Sequence, residues 1–320
     1  MTTLQQPLGS PFNAKSTAIE VIEGIDLSGK LAVVTGGYSG IGVETVRALA
    51  AAGAEIIVPA RDLARAKDAL KPLSSKISIA AMDLGDLASV RKFADDVVKS
   101  RKALHLLINN AGVMACPEGR VGKGWELQFG TNHIGHFVLT NALMPLLKAA
   151  KGARIVALSS TAHKMSPIRW DDIHFKTTPY DKWVAYGQSK TANALFAREA
   201  DARLESEGVR AFSVHPGGIA TPLQRHLAKE EMVASGWMKE NGEPTDMAKA
   251  MFKTPEAGAS TTVWAATSRL LDGMGGVYCE NCDIAAIGGA DAPRWSMVQP
   301  HAADDEQAAR LWGETEKMLA

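Results

Sequence analysis

Cysteine is scarce in this chain: Cys116, Cys279 and Cys282 are the only three in 320 residues. Three thiols cannot build a disulfide framework, and the odd count favours a reducing compartment. Cys279-Glu-Asn-Cys282 is a single CxxC. Structural zinc takes four ligands, and no second CxxC or HxxxH completes the set. These thiols are therefore expected to be reduced and structural, with no metal. An excess of one charge is also missing. Lys plus Arg number 35 and Asp plus Glu 35, so the formal net charge is zero. A balanced chain has no overall attraction to nucleic acid or anionic lipid. Long apolar runs are missing as well: no stretch reaches about 18 uninterrupted apolar residues. The nearest, Ile134 to Leu147, is interrupted by His136, Thr140, Asn141 and Pro145. It reads as a buried helix, and no membrane span is expected. The opening MTTLQQPLGS has neither a basic segment nor an apolar core, and the first Arg is Arg47. Signal and transit peptides leave a different signature, so a cytoplasmic protein is expected.

What the chain has is glycine, 29 residues, in an ordinary globular composition of 46% hydrophobic and 22% charged residues. Residues 1–28 read as an N-terminal arm with a short helical pattern from Ala18 to Ile25. From Lys30 onward, short apolar runs alternate with helical periodicity. Strands are predicted over 31–35, 55–58, 77–81, 104–108, 154–158, 209–214 and 276–279. Between them come helices predicted over 41–52, 62–70, 86–100, 125–150, 184–206 and 255–269. Apolar strands alternating with helices of ten or more residues indicate βαβ units and a parallel sheet covered on both faces. No linker divides residues 29–320, so a single domain is expected. The segment 219–254 breaks the alternation and carries Met232, Trp237, Met238, Met247 and Met251. It reads as a small helical substrate lobe.

The glycines cluster where strands end. Thr35-Gly-Gly-Tyr-Ser-Gly-Ile-Gly42 joins the first strand to its helix, with Gly36, Gly40 and Gly42 spaced GxxxGxG. Glycine there lets the backbone approach a pyrophosphate and lets the helix pack closely on the strand, and the helix N-terminus offers N–H groups to the ligand. The spacing matches neither GxGxxG nor a P-loop. Ala60-Arg61 ends the second strand, and Asp83-Leu84 follows the third. Asn109-Asn110-Ala111-Gly112 follows the fourth, Ser159-Ser160 the fifth and His215-Pro216-Gly217-Gly218 the sixth. A parallel sheet brings these carboxyl ends to one edge, the side on which such folds bind ligands.

Thr35-xxxx-Gly40-x-Gly42, Asn109-Asn-Ala-Gly112, Asn132, Ser160, Tyr186-Gly-Gln-Ser-Lys190 and Pro216-Gly217 together resemble the short-chain dehydrogenase/reductase family. The match runs over about residues 28–280 in the family's order. Ile25-Asp-Leu-Ser-Gly-Lys30 and Val214-His-Pro-Gly217 resemble the retinol dehydrogenase and WW-domain oxidoreductase branch. The resemblance implies a Rossmann-type doubly wound parallel sheet in one α/β domain. It also implies catalysis by Asn132, Ser160, Tyr186 and Lys190. Tyr186 and Lys190, at i and i+4, share a helix face. A nearby ammonium favours phenolate, so Tyr186 is expected to be tuned toward a general acid/base. Ser160, preferred over Ser159 by the family pattern, is expected to hold the substrate oxygen. Asn132 is expected to serve a proton-relay water, and Lys190 to hold the nicotinamide ribose as well.

The resemblance places Gly36, Tyr38, Ser39, Gly40, Ile41, Gly42, Asp83, Leu84, Asn110, Ala111, Gly112, Pro216, Gly217, Ile219 and Thr221 around the cofactor. Arg61 decides its type. An acidic residue at the end of the second strand would bind a ribose 2′-OH, whereas Arg can grip a 2′-phosphate. Asp62 is needed as a helix cap. NADP(H) is therefore favoured over NAD(H). Twenty-six residues separate Ser160 from Tyr186, and this insertion, with His163, Trp170, His174 and Trp183, is expected to form a pocket wall. His163 and His215 are weighed as substrate contacts and as ordinary loop residues.

The expected activity is hydride transfer between NADP(H) and a bulky, apolar ketone, aldehyde or secondary alcohol, as in carbonyl reductases. The alternatives are a protochlorophyllide-type C=C reductase and a non-catalytic NADP-binding regulatory protein. The helices 125–150 and 184–206 leave a homodimer or homotetramer open.

Overall fold

The computed structural model describes residues 3–73, 76–289 and 291–320. The first two residues of the arm therefore lie outside it. The strands β1 (Leu31–Val34), β2 (Glu55–Ala60), β3 (Ile77–Ala81), β4 (Leu106–Asn109), β5 (Arg154–Leu158), β6 (Arg210–His215), β7 (Val277–Glu280) and β8 (Asp283–Ile284) form one sheet. Their order is β3-β2-β1-β4-β5-β6-β7-β8, parallel throughout except for β8 at one edge. The order reverses direction between β1 and β4, the switch point at which such sheets open a crevice.

The period-2 alternation explains why the strands read as continuous apolar runs. Ala32, Val34, Leu106 and Ile108 point into one core, with α1 (Ala18–Ile22), α2 (Ile41–Ala51) and residues of 259–266, including Trp264. The helix α3 (Leu63–Leu70) adds Leu70 to that core. Leu31, Val33 and Leu107 point into the other, where α4 (Leu87–Ser100), α5 (Gly135–Ala149) and α6 (Lys182–Leu204) supply Phe93, Leu143 and Phe196. Shorter helices follow, among them α7 (Lys229–Ala234), α8 (Asp246–Met251) and α9 (Ser260–Thr267), then the C-terminal α10 (Asp305–Leu319).

Four places depart from the sequence expectations. The helix expected over 125–150 is interrupted. Trp125–Glu126 pairs as a strand with Arg120–Val121, and a helical turn at Leu127–Phe129 leads into a π-helical stretch, Gly130–Ile134, before α5 begins. The Glu126 carboxylate caps the turn by accepting from the N–H groups of Gln128 and Phe129, at 2.9 and 2.7 Å. π-Bulges of this kind are often found at functional sites, and this one carries Asn132. The helix expected over 255–269 is divided into Pro255–Gly258 and α9. The CxxC is a hairpin turn: Asn281 and Cys282 both have positive φ, 50° and 60°, between β7 and β8. Two-residue hairpin loops require that handedness. Burial pushes the Cys279 and Cys282 thiols up, away from thiolate.

The fourth departure is α10, which periodicity did not reveal. It lies against α5 and α6, for which pairing between subunits was left open. Trp312 stacks on Phe196 (5.8 Å, 3°) and meets Phe137 at 4.7 Å. The N-terminal arm is tied down beside β7 and β8. Gln5 Nε2 donates to the carbonyls of Tyr278 and Ala285, and its Oε1 accepts from Tyr278 N–H. The Asp283 carboxylate accepts from the N–H groups of Leu8, Gly9 and Ser10. Among the described residues, no helix is long and apolar enough to cross a membrane.

Candidate active site

The carboxyl ends of β1 to β6 open on one cavity of about 770 Å³. Its floor is the turn after β1. Gly36 has φ +62° and Gly40 φ +55°, a region that favours glycine. A Cβ on Gly36 would lie 3.0 Å from Ala111 Cα, so the loops after β1 and β4 approach too closely to admit a side chain there. Thr35 fastens them: its hydroxyl accepts from the N–H groups of Asn110 and Ala111, each at 2.9 Å. Asn110 Nδ2 donates to the Thr35 carbonyl at 2.7 Å.

Of the residues expected around a cofactor, Gly36, Tyr38, Ser39, Gly40, Ile41, Arg61, Asp83, Leu84, Asn110, Ala111, Gly112, Pro216, Gly217, Ile219 and Thr221 all line this cavity. Gly42 does not. It is the second residue of α2, where a Cβ would lie 2.2 Å from the Gly36 carbonyl oxygen. Its part is close packing that lets the turn form. Asp62 caps α3 by accepting from Arg65 N–H at 3.0 Å, leaving Arg61 at the rim. Arg65 lines the same wall and went unnoticed in the sequence, although its i+4 spacing from Arg61 was visible.

Ser160, Tyr186 and Lys190 meet further along the cavity. Lys190 Nζ lies 5.5 Å from the centroid of the Tyr186 ring and donates to the Leu158 carbonyl at 3.0 Å. Burial pushes Lys190 down to about 8. Burial also pushes Tyr186 well above its ordinary value, and the Ser160 hydroxyl opposes that rise. This corrects the simple picture of ammonium tuning. Desolvation dominates for the phenol, and the lysine is the group brought nearer neutrality.

Asn132 stands behind the cavity wall, fully buried. Its Nδ2 donates to the Val113 carbonyl and to Ser189 Oγ, both at 2.9 Å, and its Oδ1 accepts from Val113 N–H at 2.8 Å. The amide clamps the loop after β4. The 161–185 insertion supplies part of the wall, through Thr161, Ala162, Lys164 and Met165 as well as Trp183. Trp183 lines the cavity, but His163, Trp170 and His174 do not. Trp170 donates to Gln307 at the start of α10, and His174 accepts from Glu126 N–H. His163 and His215 are buried and lie off the wall too. His163 Nδ1 lies 2.6 Å from the Ser160 carbonyl, and His215 Nδ1 accepts from Thr161 and Gly217 N–H. Both hold the backbone around Ser160. Val113, Met114 and the 294–295 loop also line the cavity. No local pattern marks them, because only the fold brings them there.

The family model described as short chain dehydrogenase matches residues 30–232. The chain belongs to the short chain dehydrogenase family. It is an oxidoreductase of that family, whose members bind a nicotinamide cofactor. Relatives cover nearly its whole length. A protein named "Probable oxidoreductase" from Streptomyces antibioticus is 44% identical over 294 residues, 90% of this chain and 97% of that one. Retinol dehydrogenase 13 of Mus musculus is 35% identical over 298 residues, 92% of this chain and 84% of that one. The solved Pseudomonas aeruginosa RhlG/NADP active-site complex is similar with a TM-score of 0.62 and 26% identity, over 80% of this chain and 95% of that one. In this short chain dehydrogenase, the backbone-walled turn and the rim arginines fit a dinucleotide.

Proposed function

We propose that this chain is an NADP(H)-dependent carbonyl reductase or alcohol dehydrogenase acting on a bulky, apolar ketone, aldehyde or secondary alcohol. The observation that carries this is the meeting of Ser160, Tyr186 and Lys190 in the cavity that the glycine turn floors. A purely regulatory binder of NADP has no need of an acid in that position. The nicotinamide, when bound, supplies or accepts the hydride. The chain's own residues do the rest. Tyr186 Oη gives a proton to the substrate oxygen during reduction and takes it back during oxidation. Ser160 Oγ holds that oxygen where negative charge develops. Lys190 Nζ returns the proton to Tyr186, a task suited to a buried amine near 8. Asn132 keeps the Val113 loop in register beside them. The segment 219–254 acts as the substrate lobe: Leu223, Trp237 and Phe252 close the far end of the cavity.

NADP is favoured over NAD by Arg61 and Arg65, which line the cavity beside the end of β2. Among the described residues, neither pairs with a carboxylate. The likeness to an NADP-bound structure supports the same choice. Arg61→Glu is expected to lower kcat/KM for NADPH by about 10- to 100-fold, the worth of one hydrogen bond to a charged group. NADH should be affected far less. Following the absorbance of reduced nicotinamide with each cofactor measures both. A wild-type protein using NADH as efficiently as NADPH would overturn the assignment.

A further inference from the structure

A chain with zero net charge has gathered cations into one cavity. Arg61, Arg65, Lys164, Lys190, Arg225 and Arg294 line it, against a single acid, Asp83. Asp83 follows β3, on the cofactor side, and its Oδ1 already accepts from Gly85 N–H at 2.9 Å. Arg61 and Arg65 are accounted for by the cofactor, and Lys190 by proton transfer. Arg225 and Arg294 are not.

Both arginines belong to segments that wall the substrate side. Arg225 follows the turn Pro222–Gln224 and spends one N–H on the Pro222 carbonyl, at 3.1 Å. Arg294 sits over the Trp295 ring, 4.7 Å from its centroid. Lys164 holds that loop in place by donating to the carbonyls of Pro293 and Ser296, at 2.7 and 2.5 Å. Among the described residues, no carboxylate pairs with Arg225 or Arg294. Both are exposed, as groups at a cavity mouth should be.

The same cavity carries an aromatic row. Tyr186 meets Trp183 edge-on at 6.5 Å, Trp183 meets Trp237 at 6.3 Å, and Trp237 meets Phe252 at 5.7 Å. All four line the cavity. Such a wall takes a flat, apolar body. A purely apolar substrate would leave the two guanidinium groups without a purpose. They are suited to an anion held by charge-assisted hydrogen bonds.

We infer that the preferred substrate is an aromatic or polycyclic carbonyl compound, or its alcohol, bearing an anionic substituent remote from the reacting carbon. Arg225 and Arg294 hold that substituent at the mouth. This rests on the oxidoreductase reading above for the reacting end alone; the anion site itself can be read by binding.

The test uses the NADP-saturated protein with para-benzoylbenzoate and its methyl ester, which differ only in the remote charge. Titration calorimetry should show the carboxylate binding about tenfold tighter than the ester, as expected for two part-solvated pairs. Added salt should shrink that ratio. In R225Q/R294Q the ratio should fall toward one, and R225K/R294K should keep part of it. Because each ratio is taken within one protein, a general loss of binding cancels. Equal binding of acid and ester, an unchanged ratio in R225Q/R294Q, or binding of neither compound would overturn the inference. Turnover separates the two ideas. Preferential binding of the acid with no NADPH oxidation on either compound would sink the catalytic reading and keep the anion site. Turnover of both compounds without preference would do the reverse.

Discussion

Tyr186→Phe is expected to lower kcat about a thousandfold, within the range for removal of a positioned general acid. The substitution deletes one oxygen and keeps the ring, so the packing against Trp183 survives. Ser160 Oγ is not stranded by the loss, because it still accepts from Ala162 N–H at 3.1 Å. Stability and cofactor affinity should therefore change little, and the loss should fall on kcat and not on KM. Initial rates of NADPH oxidation with a reactive aryl ketone, alongside calorimetric binding of NADP, separate the two quantities. Turnover within a few-fold of wild type would show that another group delivers the proton.

Acid should unfold the protein early, through its histidines. Burial pushes His136, His163 and His174 down to about 4, and His133 and His215 to about 3. In the unfolded chain each titrates near 6.5. Between these values the unfolded state binds more protons, so stability is present above about 6.5 and is lost as the pH falls toward 4. Each group contributes up to about 1.4 kcal/mol per pH unit. The geometry shows why charging is resisted. His136 Nε2 faces Thr35 Oγ1 at 2.9 Å, and that hydroxyl already accepts two backbone N–H groups. His133 Nδ1 is buried with no partner, so a proton there would be an unsatisfied donor. Denaturant titrations at a series of pH values should give a stability that falls steeply below 6.5. A flat profile between pH 7 and 5 would mean that these rings are solvated or already charged.

His136 also links fold to site, since its other nitrogen lies 2.8 Å from the Asn132 carbonyl. Acid damage should therefore reach the turns after β1 and β4 as well as the core. That coupling was not legible in the chain. His136 was visible only as a polar interruption of an apolar helix, and nothing in the local pattern marked His133. Their partners, Thr315 and Thr35, come from 182 and 101 residues away.

The sequence by itself determined the βαβ order, the apolar strands, the glycine turn and the residues following each strand. These are properties of periods of 2 and 3.6 and of local backbone freedom, and both are written in short windows. Ser160, Tyr186 and Lys190 were picked out by the resemblance of their motifs to the family; spacing alone gave the shared helix face of Tyr186 and Lys190 and the place of Ser160 at a strand end. Tertiary structure decided what depends on distant partners. It broke the 125–150 helix, because Trp125 and Glu126 pair with Arg120 and Val121 as a strand before the helical turns begin. It set Gly42 close against the Gly36 carbonyl and the Asn132 side chain against the Val113 loop. It laid α10 over α5 and α6, since the Trp312 ring finds its apolar surface on Phe137 and Phe196. It also brought Arg225 and Arg294 to the mouth of one cavity. Zero net charge is a sum over the chain, and only the fold sets where its terms fall.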